Sequence, residues 1–439
     1  MMVVVERLLE SATRRTEKAE VLYAESEASR VSFKAGKLRE AGIVNTQGVG
    51  ARVFVDGRVG YASTTDLASV DDVLEAALAA AKFGRKAEYD LPDGTGDYAE
   101  VKTYDEATAE LSVETMVDVG EQAADVVKGA DEHLVVAVEV ERTIGRTRLA
   151  NTAGLDRAVE RTAYDFAVVV QRTAEEDILF HYDYDASVAR DFDELAVARR
   201  LADSLKWADR IVDVKTGKMD LIFDPAEVPT LLFPVTTCVN GAHVVDRSSA
   251  LAGRLGDEVA DARLSIIDDA TENFGFMAGA LDGEGTPTRR TPVIERGVLK
   301  SYLTDLATAA RLGTASTGHA RRGLTTPPTP GATNVIVEPG DRTAADLVAD
   351  TKNGILVLHT AGGAMGNLRG GELSASIAYA LKIESGDVVG RVKDCIFAGN
   401  VFEMLGPRLQ AISSDSRRSG GRYMAPAVVV ADQTITAKG

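Results

Sequence analysis

The spacing of apolar residues in the first half of the chain predicts helices that alternate with strands. Apolar residues recur every three or four positions, the period of a helix, in residues 3–17, 70–81, 112–128 and 193–207. Alternation of apolar and polar residues predicts strands at residues 19–26, 134–142, 145–150 and 157–172. Ser69 stands where it can cap the second helix, and Gly129 ends the third.

Dipeptides that end in glycine punctuate apolar runs in both halves of the chain. Asp56-Gly57 is the dipeptide that tolerates the positive φ angles of a tight hairpin turn. Ala35-Gly36, Arg296-Gly297 and Ser385-Gly386 stand in similar local contexts. No fixed period links these four sites, so they indicate recurring hairpins and not a sequence repeat.

The polar stretch 209–218 is a candidate domain boundary. After it come a predicted strand at 219–223 and a predicted helix that begins near Pro225, since proline suits the first helical turn. The sequence therefore predicts a two-domain α+β fold. Residues 1–210 would form an N-terminal helix-flanked β-sheet domain, and residues 211–439 a C-terminal, hairpin-rich mixed β-sheet domain with helices.

The composition is that of a globular protein with an excess of acid. Of 439 residues, 67 are Asp or Glu and 49 are Lys or Arg, so the net charge is −18. This acidity argues against direct binding to nucleic acid, which needs a basic surface. Only 2 cysteines are present, so a disulfide scaffold is excluded and a reducing, cytoplasmic location is expected.

Neither an export signal nor a membrane span is expected. Glu6 and Arg7 interrupt the apolar start of the chain. The uncharged stretch 228–245 is interrupted by prolines, Asn240 and His243, which favours a buried globular segment.

The few histidines and cysteines restrict the possible metal chemistry. The five histidines are widely spaced, and no His-Glu pair opens a helical zinc motif. Cys238 and Cys395 stand alone in apolar surroundings, which favours buried structural thiols over nucleophiles. Neither a Gly-x-Ser-x-Gly elbow nor a phosphate-binding Gly-x-x-x-x-Gly-Lys loop occurs.

Two polar clusters remain open to interpretation. Asp282 and Glu284 could bind a cation or serve as acid and base. They could equally be turn residues that pair with Arg289 and Arg290, and this simpler interpretation is favoured. The loop 316–322, which contains His319, is rich in donors and could receive a substrate carboxylate or an acidic patch of a partner.

An ordered set of short phrases gives the chain its resemblance to a known family. In the second half these phrases are Ile266–Asp269, Asp282–Arg289, Glu295–Leu299, Ser316–Ala320, Thr333-Asn334, Gly371–Ser374, Val392-Lys393 and Ala398–Asn400. In the first half they are Ser32–Leu38, Gly48–Val53 and Ala62–Asp66. In this order they resemble the TldD/PmbA family, whose members are described as modulators of DNA gyrase and as peptidases. The resemblance spans nearly the whole chain and implies a two-domain α+β fold that dimerises.

The resemblance also implies one branch of that family. The TldD branch carries His-Glu-x-x-x-His on a helix early in the second domain, and a late cysteine completes its zinc site. Here Phe233, Pro234 and Cys238 fall at the positions of the His, Glu and His, and residues 416–423 contain no cysteine. The chain therefore resembles the PmbA (TldE) branch, the non-catalytic partner of a TldD-type zinc peptidase.

The resemblance to that branch also implies which cofactor and which partners to expect. No catalytic residue and no zinc or other cofactor is expected in this chain, because zinc would be held by the TldD-like partner. The partners would be that protease or a second copy of the chain, together with peptide substrates and unfolded segments. The apolar Phe233 would mean that packing fills the former zinc site.

Two alternatives to the binding-subunit hypothesis stay open. The chain could be a hydrolase in its own right, with a non-zinc site built around Asp282, Glu284 and His319. It could also be a homodimer that binds peptides without cleaving them.

Overall fold

The architecture is described by a computed structural model, which covers residues 2–131, 133–174 and 177–437. Two large β-sheets with flanking helices dominate it, so the predicted α+β class is confirmed. One sheet uses strands up to residue 187 and the other begins at residue 217, while the exact domain boundary near residue 210 stays a prediction. Within the described residues, no helix combines the length and apolarity needed to cross a membrane.

The first sheet contains six antiparallel strands in the order β3-β2-β1-β4-β5-β6. The strands are β1 (Lys18–Lys34), β2 (Lys37–Val55), β3 (Arg58–Thr64), β4 (Val135–Asn151), β5 (Asp156–Ala174) and β6 (Asp177–Ser187). The helices are α1 (Met2–Thr13), α2 (Val70–Ala81), α3 (Glu106–Ala109), α4 (Val113–Lys128) and α5 (Glu194–Ser204). The two strands predicted at 134–142 and 145–150 are one continuous strand, because β4 pairs without a break with β1 over residues 137–151 and with β5 over residues 135–150.

Two apolar cores attach helices to this sheet. Helices α1 and α2 bury Leu8, Val73 and Leu74 against strands β1 and β2. Helices α4 and α5 bury Met116 and Leu201 against β4 and β5, as their helical periodicity requires. Ser69 precedes α2, but its side chain does not cap the helix; its hydroxyl donates instead to Asp66.

The second sheet contains eleven strands and most of the short elements of the second half. Its strands are β7 (Gly217–Phe223), β8 (Ile266–Asp269), β9 (Arg290–Glu295), β10 (Val298–Leu299), β13 (Val335–Val337), β14 (Asn353–Met365), β15 (Glu372–Glu384), β16 (Asp387–Val392), β17 (Cys395–Asn400), β18 (Leu409–Ser419) and β19 (Tyr423–Ala437). A separate hairpin is formed by β11 (Ala320–Arg321) and β12 (Thr329–Pro330). The helices are α6 (Pro229–Cys238), α7 (Gly241–Val245), α8 (Leu306–Leu312), α9 (Ala344–Asp350) and α10 (Val401–Met404).

Five strands of the second sheet close into a ring of pairings. Strand β7 pairs with both β14 and β19, and β15 and β17 complete the circuit. The ring belongs to one apolar core in which Phe223 and Phe397 meet edge to face and helix α6 is packed. That helix begins at Pro229 and not near Pro225, because Asp224 organises a turn by accepting a hydrogen bond from the amide of Ala226.

The predicted glycine hairpins are confirmed. Ala35-Gly36, Asp56-Gly57, Arg296-Gly297 and Ser385-Gly386 each have two successive residues with positive φ. They join β1 to β2, β2 to β3, β9 to β10 and β15 to β16. Two positive φ angles match the right-handed twist of paired strands, which is why glycine occupies the second position.

The two sheets also pack against each other. Tyr379 and Leu381 of β15 are buried in the core that otherwise belongs to α4, α5 and the first sheet. His181 of β6 stacks on the ring of Tyr379, with centroids 4.5 Å apart. Side chains from the two halves of the chain are therefore in direct contact.

Candidate functional site

Helix α6 carries the three residues that the sequence places at the positions of the His-Glu-x-x-x-His zinc motif. Cys238 is buried, and its thiol donates to the carbonyl oxygens of Leu368 and Arg369. Burial raises the pKa of this thiol. Pro234 is also buried, inside the helix. Both residues lie in the core, so the prediction that Cys238 is a buried thiol is confirmed.

Phe233 does not pack as expected. Its side chain is 48% exposed, so the prediction that an apolar residue fills the former zinc site is wrong. The phase of the helix explains the difference: Leu231, Leu232 and Val235 form the face that enters the core, and Phe233 points away from it. The ring stands on the outer face, where the Thr237 hydroxyl donates to the Phe233 carbonyl oxygen.

The donors at these positions do not fit zinc. Phenylalanine and proline side chains have no lone pair to give a metal, and the Cys238 thiol is held protonated by burial and by its two carbonyl partners. Across residues 2–131, 133–174 and 177–437, no three His, Cys, Asp or Glu side chains are grouped so that they could hold a metal ion. Helix α6 therefore cannot supply the ligand set of a zinc peptidase.

A buried carboxyl group lies just before helix α6. Glu227 Oε1 accepts hydrogen bonds from the hydroxyls of Thr230 and Thr360, each at 2.5 Å. Burial raises the pKa of Glu227 to about 7, against the lowering effect of the two threonines. A carboxyl with this pKa exchanges its proton near neutral pH, as a general acid or base must. No local sequence pattern indicates this group, because Thr360 is distant in the sequence.

Two histidines from different halves of the chain meet near this group. The rings of His181 and His359 have centroids 6.1 Å apart, and Tyr182 lies edge-on to His359 at 4.2 Å. Burial lowers the pKa of His181 to about 3 and that of His359 to about 4. Both imidazoles are therefore neutral at physiological pH. Their sequence separation hides the pair from any motif search.

The alternative site around Asp282, Glu284 and His319 is not assembled. Asp282 accepts hydrogen bonds from the backbone amides of Glu284, Thr286 and Ala320, and burial, with the nearby Glu284 carboxylate, raises its pKa to about 7. These three amides make Asp282 the organiser of a loop. The favoured sequence interpretation, a turn, is right, but its predicted arginine partners are wrong.

Glu284 and His319 face different partners. Glu284 forms an ion pair with Arg52 of strand β2, and its carboxylate accepts a hydrogen bond from the backbone amide of Leu306 at 2.7 Å. His319 is fully buried between the hydroxyl of Thr317 at 2.9 Å and the carboxylate of Asp268 at 3.2 Å. Arg289 instead donates to the Ser316 carbonyl, and Arg290 faces Asp269 and Glu338. The side chains of Asp282, Glu284 and His319 therefore bind separate partners within the fold.

A buried array of alternating charges joins the two sheets at this point. Arg52 pairs with Glu284 and with Glu20, and Glu20 also pairs with Arg322. All four side chains are nearly inaccessible to solvent. These ion pairs connect strands β1 and β2 of the first sheet to loops of the second half of the chain.

Comparisons with known proteins agree with the architecture. Residues 216–437 match the family model of the PmbA/TldA metallopeptidase C-terminal domain, and residues 19–81 match the PmbA/TldA metallopeptidase domain 1. A metalloprotease of Methanothermobacter thermautotrophicus is 26% identical over 413 residues, 92% of this chain and 89% of its own. The metalloprotease PmbA homologue of Haemophilus influenzae is 24% identical over 432 residues, 94% of this chain and 91% of its own.

A solved structure has the same fold. The crystal structure of TldE from Thermococcus kodakarensis superposes with a TM-score of 0.90 at 23% identity, and the match covers 99% of this chain and 100% of that one. At this level of identity the likeness establishes the fold.

Proposed function

Because the chain belongs to the PmbA/TldD metallopeptidase family, we propose that it is a non-catalytic, TldE-like subunit of a TldD-type zinc peptidase. In this arrangement the zinc and the general base belong to the partner chain. This chain binds the partner and shapes the path of peptide substrates and unfolded segments. It holds no cofactor of its own and contacts no nucleic acid.

One observation carries the proposal: helix α6 carries neither the histidine ligands nor the general-base glutamate at the positions of the protease branch's zinc motif. Phe233 and Pro234 offer no donor, and Cys238 is buried with its thiol committed to backbone carbonyls. A zinc peptidase needs three protein ligands and an open position for water. The likeness to TldE over the whole length of both chains supports the same assignment.

The groups beside α6 do not replace the lost zinc chemistry. Glu227 has a pKa suited to proton transfer, but its oxygen is held by two threonine hydroxyls. His181 and His359 are neutral and surrounded by aromatic rings. Hydrolysis without a metal also needs a nucleophile and a group that stabilises the oxyanion. This favours a binding role over an independent hydrolase.

Co-expression tests the proposal directly. The chain and the TldD-like protein of the same organism are purified alone and together, and cleavage of an unfolded protein substrate is measured for each sample. We expect a stable complex, and activity only in samples that contain the TldD-like protein. Replacing the glutamate of that partner's His-Glu-x-x-x-His motif by glutamine should abolish activity and leave the complex intact.

Two outcomes would overturn the proposal. One is failure of the two chains to associate, with unchanged activity of the TldD-like protein. The other is cleavage by this chain alone that is lost in Asp282→Asn, which would favour the hydrolase alternative. A stable homodimer that binds peptides without a partner would favour the third hypothesis.

A further inference from the structure

Three arginines cluster between the sheets, and none of them has a carboxylate within ion-pair distance among the described residues. They are Arg161 of β5, Arg321 of β11, and Arg422, which precedes β19. Arg161 donates to the backbone carbonyls of Phe276 and Ala278. Arg321 and Arg422 both donate to one carbonyl oxygen, that of Ala332, at 3.4 and 3.1 Å.

Carbonyl oxygens satisfy these donors but do not neutralise their charge. Burial, together with the neighbouring charges of Arg422 and Arg161, lowers the pKa of Arg321 to about 10, against a weaker opposite effect of Asp268. Burial also lowers the pKa of Arg161. The Nε of Arg422 is buried and has no hydrogen-bond partner in the described part of the chain. Uncompensated cations are unexpected in a chain whose net charge is −18.

A cavity of about 440 Å³ opens beside this cluster, and Arg161 and Arg321 lie in its wall. This volume falls within the range of small-ligand sites, about 300–1,000 Å³. Much of the remaining wall is apolar, with contributions from Leu22, Leu149, Phe276, Met277 and Leu281.

The other charged groups in the wall are already engaged. Arg322 pairs with Glu20, and Asp282 accepts three backbone amides. The free positive charge is therefore concentrated on Arg161 and Arg321, with Arg422 behind them. An anionic group on an apolar body matches this combination, and a guanidinium can hold a carboxylate through two parallel hydrogen bonds.

We propose that this cavity between the two sheets binds the free C-terminal carboxylate of a peptide, with Arg161 and Arg321 holding the carboxylate and the apolar wall holding the last side chain. The choice of a peptide over other carboxylates rests on the proposed function. The residues belong to both halves of the chain, so the site exists only when the two sheets are docked.

Binding to the full isolated chain tests the site. The probes are the peptide acetyl-Ala-Ala-Leu with a free C-terminus, the same peptide as its C-terminal amide, and inorganic phosphate, each titrated by calorimetry. We expect the acid to bind at least about tenfold more tightly than the amide, and phosphate to bind more weakly than the acid. Equal affinity for acid and amide, or no binding, would overturn the proposal. Phosphate binding as tight as that of the acid would assign the site to phosphate instead and overturn it too.

Three variants that each remove one positive charge test whether the preference for the acid depends on the cavity arginines. Arg161→Gln and Arg321→Gln should each remove the preference for the acid. Arg290→Gln, which removes an exposed charge from β9, should keep it. An unchanged preference in both cavity variants would contradict the assignment, and the wild-type comparison needs no variant to fold.

The result is separable from the proposed function. A complex with the TldD-like protein but no preference for the acid would overturn this site alone. A preference for the acid without a complex would overturn the subunit role and leave the site standing.

Discussion

Arg52 of strand β2 and Glu284 of the loop before β9 form an ion pair whose side chains are only 3% and 1% exposed. The two residues are 232 positions apart in the chain. Together with Glu20, which Arg52 also contacts at 3.0 Å, the pair joins the two sheets. It belongs to the rigid frame that any site between the sheets requires.

Removing the central cation of this array should destabilise the protein strongly. Arg52→Met leaves Glu20 and Glu284 without their shared partner, and an uncompensated buried charge costs roughly 3–5 kcal/mol. Urea unfolding of wild type and variant measures the difference. The control is Arg30→Met, whose pair with Glu141 is exposed and contributes only about 0–1 kcal/mol. Equal losses in the two variants would show that the array does not hold the domains together.

Substitution of the exposed Phe233 should destabilise the protein less than substitution of the buried Leu232 beside it. Phe233→Ala should cost less than about 1 kcal/mol of unfolding free energy, because the ring is half in solvent. Leu232→Ala should cost about 2–5 kcal/mol, because Leu232 is buried in the core. Chemical denaturation compares them. A cost for Phe233→Ala equal to that for Leu232→Ala would restore the idea that Phe233 fills the old site.

Ionisation of Glu227 should weaken the fold as pH rises. Its pKa of about 7 in the native state exceeds the value of 4.5 expected for the unfolded chain, so the native state keeps its proton longer. Stability relative to Glu227→Gln should therefore fall by about 3 kcal/mol between pH 4.5 and pH 7 and then level off.

The comparison with the glutamine variant is needed because His181 and His359 act in the opposite direction. Their lowered pKa values mean that stability from these groups is lost as the pH falls from about 6.5 towards 3. Denaturation of both proteins at each pH isolates the Glu227 contribution. A constant difference across this range would contradict the assigned pKa.

Both cysteines should be unreactive in the native protein. Burial raises the pKa of Cys395 to about 11 from 9.0, so at pH 8 its thiolate is roughly a hundredfold scarcer than in the unfolded chain. Burial raises the pKa of Cys238 as well. Thiol titration with an aromatic disulfide should be slow before unfolding and count two thiols afterwards. Rapid reaction of one thiol in the native state would identify an accessible nucleophile and contradict the structural role.

Turns and amphipathic helices could be predicted from short stretches of the sequence. The turn at Asp56-Gly57 and the amphipathic helix α4 follow from a few adjacent residues, and the structure has both. The family was recognisable because its short phrases keep their order. The loss of the zinc motif at Phe233 and Pro234 could also be seen in the sequence alone.

Contacts between distant residues could not be predicted in this way. Nothing near Glu227 indicates that Thr360 will bind its carboxyl, and nothing near Arg161 indicates that Arg321 will lie beside it. The exposure of Phe233 depends on the phase of a helix whose start was predicted four residues too early. Asp282 also accepts the backbone amide of Ala320, 38 residues away, and no local pattern indicates this contact.

The zinc content of the purified chain tests the central claim most directly. Metal analysis is made on the chain alone and on its complex with the TldD-like protein, both prepared with zinc in the medium. A non-catalytic subunit predicts no bound zinc in the isolated chain and one zinc per heterodimer in the complex. One zinc per molecule of the isolated chain would contradict the account, because it would require a metal site that helix α6 cannot provide.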